Sequence, residues 1–432
     1  MTQSPLDHSE SAPYLDILGD IVDAINCGPW RFIQLRGAPL SRADIDQGDV
    51  DLLGSRASAN LLLKAARSCG SDGKCHFWIK SRDANKISAA FISLDGKHVL
   101  RFDLWINLPQ IQGRSHLRYV DLEKLLAGTD CSIRRLPTPV EAAIYIHHLK
   151  AKQKDIASFR VQQRITHYAN ICSEAGAADL NTAFALITRM HVVAKDALDI
   201  ANRHLECARI LPSPETRSRW QHKISTEFSA ALLAPPRKIR HIAIMGCDGS
   251  GKTTLTKNHA AQGDGGYFTF TGKRLYRNSL IYKLLVIVVR PLLLQGREKF
   301  DDVIAPWNYV RAIAALEAKI WVFPRGVTLI DRSTLDFLVV DRKSDQPRFH
   351  PATKFLSKLG RRIPTIHLFV PDDVLQSRKA EMTTVGHAKY DQLIFDHATQ
   401  RSPSHYTAFH NGADACFSKA AFANVLKLVA KY

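Results

Sequence analysis

Short apolar runs separated by turn residues fill the first part of the chain: 31-RFIQLRG-37, 49-DVDLLGS-55, 75-CHFWIKS-81 and 89-AAFISLDGKHVLRFDLWI-106. Runs of this length predict the strands of a mixed sheet, with a helix over 57–68. Asp95-Gly96-Lys97 separates 90-AFISL-94 from 98-HVLRFDLWI-106, and Asp-Gly readily takes the positive φ of a tight turn, so the two runs predict a hairpin. From Pro137 to about 233 the texture changes to Ala, Leu, Ile, Lys and His with almost no Gly or Pro, the composition of packed helices. The segment 234-APPRKIR-240 is a short basic hinge. Beyond it, strand and helix patterns alternate, as in a parallel α/β sheet. The expected class is multidomain α/β: an α+β domain over 1–130, a helical segment over 131–234 and a parallel α/β domain over 235–432.

Composition narrows the picture little. A chain of 432 residues is long enough for two or three domains with their own cores. With 45% hydrophobic and 23% charged residues it is neither a fibre nor a disordered segment. A net charge of +18 fits nucleotides, polyanions or anionic headgroups, and equally a solvated basic surface, because the Lys and Arg are dispersed. Nucleic acid therefore stays open as a partner, as does a homodimer. Cys27, Cys69, Cys75, Cys131, Cys172, Cys207, Cys247 and Cys416 are scattered without a CxxC pair and read as reduced thiols, with Cys69 and Cys75 at neither zinc nor redox spacing. The polar, acidic start has no secretory pattern, so a cytoplasmic location is expected. The most apolar stretch, 279-SLIYKLLVIVVRPLLLQG-296, carries Lys283 and Arg290 and is broken by Pro291, which leaves no uncharged run near the roughly 18–20 residues of a bilayer span; it is expected to be a buried helix, the alternative being a helix on a membrane surface.

The chemistry concentrates in 239-IRHIAIMGCDGSGKTTL-255, an apolar strand running into Gly246-Cys247-Asp248-Gly249-Ser250-Gly251-Lys252-Thr253-Thr254. This is G-x-x-x-x-G-K-[ST] between a strand and a helix. Glycines let the backbone aim its N–H groups at phosphate oxygens, the helix start adds its positive dipole end, Lys252 neutralises β/γ charge and the Thr253 hydroxyl ligates Mg2+. A carboxylate at the end of another strand must help hold that metal. The apolar run 326-GVTLIDRS-333 ends in Asp331, the expected metal-side acid.

The loop, read as G-x-D-G-x-G-K-T-T, and the Asp331-Arg332 pair resemble the thymidylate kinase group of nucleoside monophosphate kinases, over residues 238–432. Downstream, 363-IPTIHLFVPDDVLQSRKAE-381 looks like the strand, helix and basic lid of such kinases. The resemblance implies an ATP- and Mg2+-dependent phosphotransferase. It places Asp248 near the acceptor's sugar hydroxyl, Arg332 against the transferring phosphoryl, and Arg378 with Lys379 at the start of the lid. Ser333 stands where the family carries an aromatic. In place of a Glu-Pro-Gly stretch, 268-FTFTGKRLYRNS-279 offers Lys273, Arg274 and Arg277 to an anion. Thymine specificity is thus unsupported. Such domains also occur in bacterial surface-polysaccharide proteins, so the acceptor is either a nucleoside monophosphate or a sugar or glycan.

A second constellation lies in 48-GDVDLLGS-55, where alternation along a strand puts Asp49 and Asp51 on one face. Asp103, in 100-LRFDLWI-106, lies on a run that could pair alongside. Three carboxylates on one sheet face suit a two-metal nucleotidyl transfer site. The spacing resembles the polymerase-β-like nucleotidyltransferase fold, with the helical segment in place of its helical subdomain. Two alternatives to the kinase follow: a nucleotidyltransferase using these aspartates, and a nucleotide-gated binding protein without turnover.

Overall fold

The computed structural model describes residues 12–37, 39–82, 85–108, 117–123, 126, 133–151, 153–208, 241–261, 267–271, 284, 287, 327–331, 363–378, 384–401, 405–412 and 414–431. Helix α1 (Ala12–Cys27) precedes β1 (Phe32–Gln34), β2 (Val50–Gly54), α2 (Arg56–Ser71), β3 (His76–Arg82), β4 (Lys86–Ile92) and β5 (Val99–Trp105). The short β6 (Asn107–Leu108), β7 (Leu117–Arg118), α3 (Tyr119–Glu123) and β8 (Ile133–Arg135) lead to α4 (Thr138–Ala151), α5 (Phe159–Glu174), α6 (Ala178–Met190) and α7 (Lys195–Cys207). The last part holds β9 (His241–Met245), α8 (Lys252–Ala261), β10 (Tyr267–Thr271), β11 (Val327–Asp331), β12 (Thr365–Phe369), α9 (Asp372–Arg378), α10 (Thr384–Arg401), β13 (Tyr406–His410) and α11 (Ala415–Lys431). The hinge at 234–240 lies outside the described residues.

Local chemistry accounts for several of these elements. Ser55 caps α2, its hydroxyl accepting the Ser58 N–H at 3.0 Å. The hairpin forms between β4 and β5, in register from Lys86↔Trp105 to Ile92↔Val99, with Gly96 at φ 72° in its turn. Strand β9 is buried along its whole length, as expected for the apolar centre of a parallel sheet.

Among the described residues, eleven strands form one mixed sheet in the order β10-β11-β9-β12-β13-β3-β4-β5-β2-β1-β8. From β10 to β13 every pairing is parallel. Strand β13 then pairs antiparallel with β3, through Tyr406↔Ile79, Thr407↔Trp78 and Ala408↔Phe77. One buried cluster crosses that join, placing Trp78, Ile92 and Val99 with Ile244, Leu368 and Phe422. Helix α11 reaches back over the hairpin, where the Asn424 amide donates to the Asp95 carbonyl at 2.9 Å.

One expectation is corrected. Of 279–296, Leu284 and Ile287 are described; both are helical and lie 58% and 67% exposed, not buried. Among the described residues no helix is long and apolar enough to cross a membrane.

Candidate functional site

Strand β9 lies between β11 and β12, so the chain reverses direction of winding at its carboxyl end, the place where open α/β sheets bind ligands. The loop that follows has Gly246, Gly249 and Gly251 at φ 145°, 90° and 85°, a region side chains avoid. A Cβ at Gly246 would stand 2.7 Å from Ser250 Oγ and 2.9 Å from the Leu368 carbonyl oxygen. Helix α8 starts at Lys252, so its first N–H groups and its positive dipole end face the loop.

Lys252 is buried inside this loop, where its ammonium donates to the carbonyls of Gly246 at 2.8 Å and Cys247 at 2.6 Å. A buried ammonium lined by these carbonyls, at the start of a helix, makes a setting that suits an anion such as a phosphate. The Thr253 hydroxyl donates to Asp331 Oδ2 at 2.6 Å. Asp331 ends β11, next to β9, in register with Ile244. Sheet pairing thus brings together the hydroxyl and the carboxylate that the sequence proposes for the metal. These donors fit Mg2+ in kind, being hard oxygen ligands.

The other expected residues divide. Asp248 is half-buried in the loop, and Thr254 is exposed on the first turn of α8. Arg378, on the last turn of α9, donates to the Gly412 carbonyl at 3.4 Å, and its Nη1 lies 3.7 Å from where a Gly251 Cβ would stand, beside the phosphate loop. Arg332 and Lys379, and the Lys273, Arg274 and Arg277 expected near an anion, lie outside the described residues.

Two features escape sequence reasoning. Asn411, buried just after β13, donates from Nδ2 to the Ser250 carbonyl at 2.6 Å, bracing the loop from the β12–β13 side. Its only signal is a polar residue at the end of an apolar strand. Beneath the loop, fully buried His367 bridges Asp391 at 2.9 Å and the Tyr406 hydroxyl at 3.0 Å.

On the other half of the sheet, Asp51 and Asp103 are register partners on parallel β2 and β5. Each carries its own cation. Asp51 pairs with Arg36 and accepts the Trp105 indole N–H at 3.0 Å; Asp103 pairs with Lys86 and accepts the Ser88 hydroxyl at 2.7 Å. Asp49 stands just before β2, its carboxyl held above the ordinary range by partial desolvation and then by the Asp103 charge. No group of three His, Cys, Asp or Glu among the described residues is arranged to hold a metal, so the expected triad is present as a neutralised pair with Asp49 beside it. A small cleft opens over Asp51 and Trp105, lined also by Glu141, Tyr145 and Tyr168 of the helical segment. Burial raises the Glu141 carboxyl, against the Tyr168 hydroxyl that donates to it at 2.7 Å.

No known family matches the chain, and none of the curated proteins does. Among solved structures, a gluconokinase from Sinorhizobium meliloti 1021 overlaps 45% of this chain and 95% of its own at 15% identity, with a TM-score of 0.25. So loose a superposition carries no chemistry; that rests on the loop, Asp331 and their neighbours.

Proposed function

We propose that the chain is an ATP-dependent phosphotransferase that passes the γ-phosphoryl group to a nucleoside monophosphate or to a sugar or glycan acceptor. The observation that carries this reading is the 2.6 Å contact between Thr253 and Asp331, beside a loop in which a Cβ at Gly246 or Gly251 would clash. Mg2+, when bound, supplies charge neutralisation at the β and γ oxygens. The loop N–H groups and Lys252 hold the phosphates, and Arg378 spreads the charge of the loose transition state. Thr253 and Asp331 set the metal's position. Asp248 is assigned to the acceptor side and Arg332 to the transferring group, both on the family resemblance.

The test follows ADP and pyrophosphate separately, with Mg2+ and ATP, across nucleoside monophosphates and sugar phosphates. Acceptor-dependent ADP that disappears in Lys252→Ala supports the kinase; full activity in that variant overturns it. The register of Asp51 with Asp103 favours one second reading, a nucleotidyltransferase. It expects pyrophosphate release that is lost in Asp103→Ala and kept in Lys252→Ala. Tight ATP binding with neither product would leave a nucleotide-gated binding protein.

A further inference from the structure

Cys69 and Cys75 have no part in either site, and spacing alone excludes them as a pair. The fold brings them together. The turn closing α2 folds back on itself, with the Lys74 N–H donating to the Cys69 carbonyl at 2.9 Å and the Cys75 N–H reaching the same oxygen at 3.4 Å. Cys75 is fully buried at the foot of β3, whereas Cys69 is partly exposed.

The turn is also pinned. Gly73 has φ 70°, and a Cβ there would stand 2.8 Å from the His410 ring; one at Gly70 would lie 3.4 Å from the Ala408 side chain. His76, next to Cys75, accepts the His410 N–H at 3.0 Å and stacks on Phe409 with ring centroids 4.3 Å apart. Packing against β13 and the bonds to the Cys69 carbonyl therefore hold the two cysteines side by side before any reaction, so closing the pair costs little further ordering. Their ionisation is unequal. The hydrogen bond from Cys75, against desolvation and with Lys74 outweighing Asp72, brings the Cys69 thiol down to about 7, and the Cys75 thiol is pushed well up. An accessible sulfur that ionises near neutrality beside a buried protonated one suits oxidation followed by resolution.

We propose that Cys69 and Cys75 form a redox pair that closes to an intramolecular disulfide with a hydroperoxide and reopens with a dithiol. In the first step the Cys69 thiolate attacks a peroxide oxygen: an S–O bond forms, the O–O bond breaks, and the departing oxygen takes up a proton. The Cys75 sulfur then attacks the sulfenic sulfur; the S–S bond forms, the S–O bond breaks, and the Cys75 proton leaves with the hydroxide as water. Two thiols give up two electrons and the peroxide accepts them.

The full chain is treated with a small excess of hydrogen peroxide, then analysed by thiol titration and peptide mass spectrometry. The expected result is a Cys69–Cys75 cross-linked peptide that dithiothreitol reopens. It is absent in Cys69→Ser and retained in Cys27→Ser and Cys207→Ser, which remove exposed thiols elsewhere. In the untreated protein, alkylation of Cys69 by iodoacetamide should be half-maximal near pH 7. Cys69 recovered as sulfinic or sulfonic acid without a cross-link, or a cross-link from Cys75 to another cysteine, would overturn the proposal.

Discussion

Asn411 and Ser250 lie 161 positions apart, yet the Asn411 amide donates to the Ser250 carbonyl at 2.6 Å. The parallel pairing of β9 with β12 and β12 with β13 carries one to the other, and the Asn411 N–H is itself anchored on the Phe369 carbonyl at 2.7 Å. The phosphate loop is thus gripped on both flanks, by Asp331 from β11 and by Asn411 from β13.

Replacing Asn411 should loosen that grip. Asn411→Ala leaves the Ser250 carbonyl without its buried donor, a cost of about 1–3 kcal/mol. The expected outcome is a lower melting temperature and weaker ATP binding by calorimetry, with Asn411→Asp weaker still because it sets an anion beside the phosphates. ATP affinity unchanged in both variants would remove Asn411 from the site.

Gly251 provides a test that turns on backbone shape rather than on a hydrogen bond. An alanine there takes φ 85°, and its Cβ would meet Asn411 Nδ2 at 2.7 Å. The left-handed backbone alone costs about 1–2 kcal/mol. Gly251→Ala should therefore lose both stability and ATP binding. Gly48→Ala, where a Cβ would meet nothing within 4 Å, is the matched control.

Thr253 and Asp331 should behave as one unit. Thr253→Ala and Asp331→Asn are each expected to lower Mg2+-dependent turnover about 10–100-fold, the usual loss when groups that set a metal are removed. The double variant should lose much less than the product of the two effects, because both act on one position. Strictly multiplicative losses in kcat, with no change in Mg2+ half-saturation, would separate the two residues.

How much of this was legible in the sequence depends on range. The phosphate loop is a local pattern in which each residue's role follows from its neighbours, and Asp331 is an acid ending an apolar run. The hairpin at Gly96 is equally local. Asn411 was not legible because its partner is brought in by two intervening strands. Arg36 and Lys86 were missed for a related reason: charged residues flanking strands normally read as solvated, and only the register of β2, β4 and β5 turns them onto Asp51 and Asp103. The pairing of β13 with β3 joins two edges, and neither edge carries a pattern that names the other. Cys69 and Cys75 show the same limit on a small scale, since a helix-terminal turn overrides linear spacing.

His76 links the two halves of the sheet and should make stability depend on pH. Its Nδ1 accepts the His410 N–H at 3.0 Å, so the ring's proton sits on Nε2, where it donates to the Leu94 carbonyl at 3.0 Å. A second proton would have to enter against an N–H donor in a fully buried site. Burial accordingly brings the His76 pKa down to about 3, and His405 falls to about 4 through burial and then the Lys80 charge. In the unfolded chain both return to about 6.5. Above that pH both states are neutral and the contribution is complete. Between about 6.5 and these folded values the unfolded chain binds more protons, so stability falls as pH falls, by at most about 1.4 kcal/mol per unit for each histidine. Urea unfolding at pH 7.5 and pH 5 should show this loss, and His76→Gln, which cannot take up the proton, should show a smaller one. An equal loss in the variant and the parent chain would mean that His76 is not where the acid sensitivity resides.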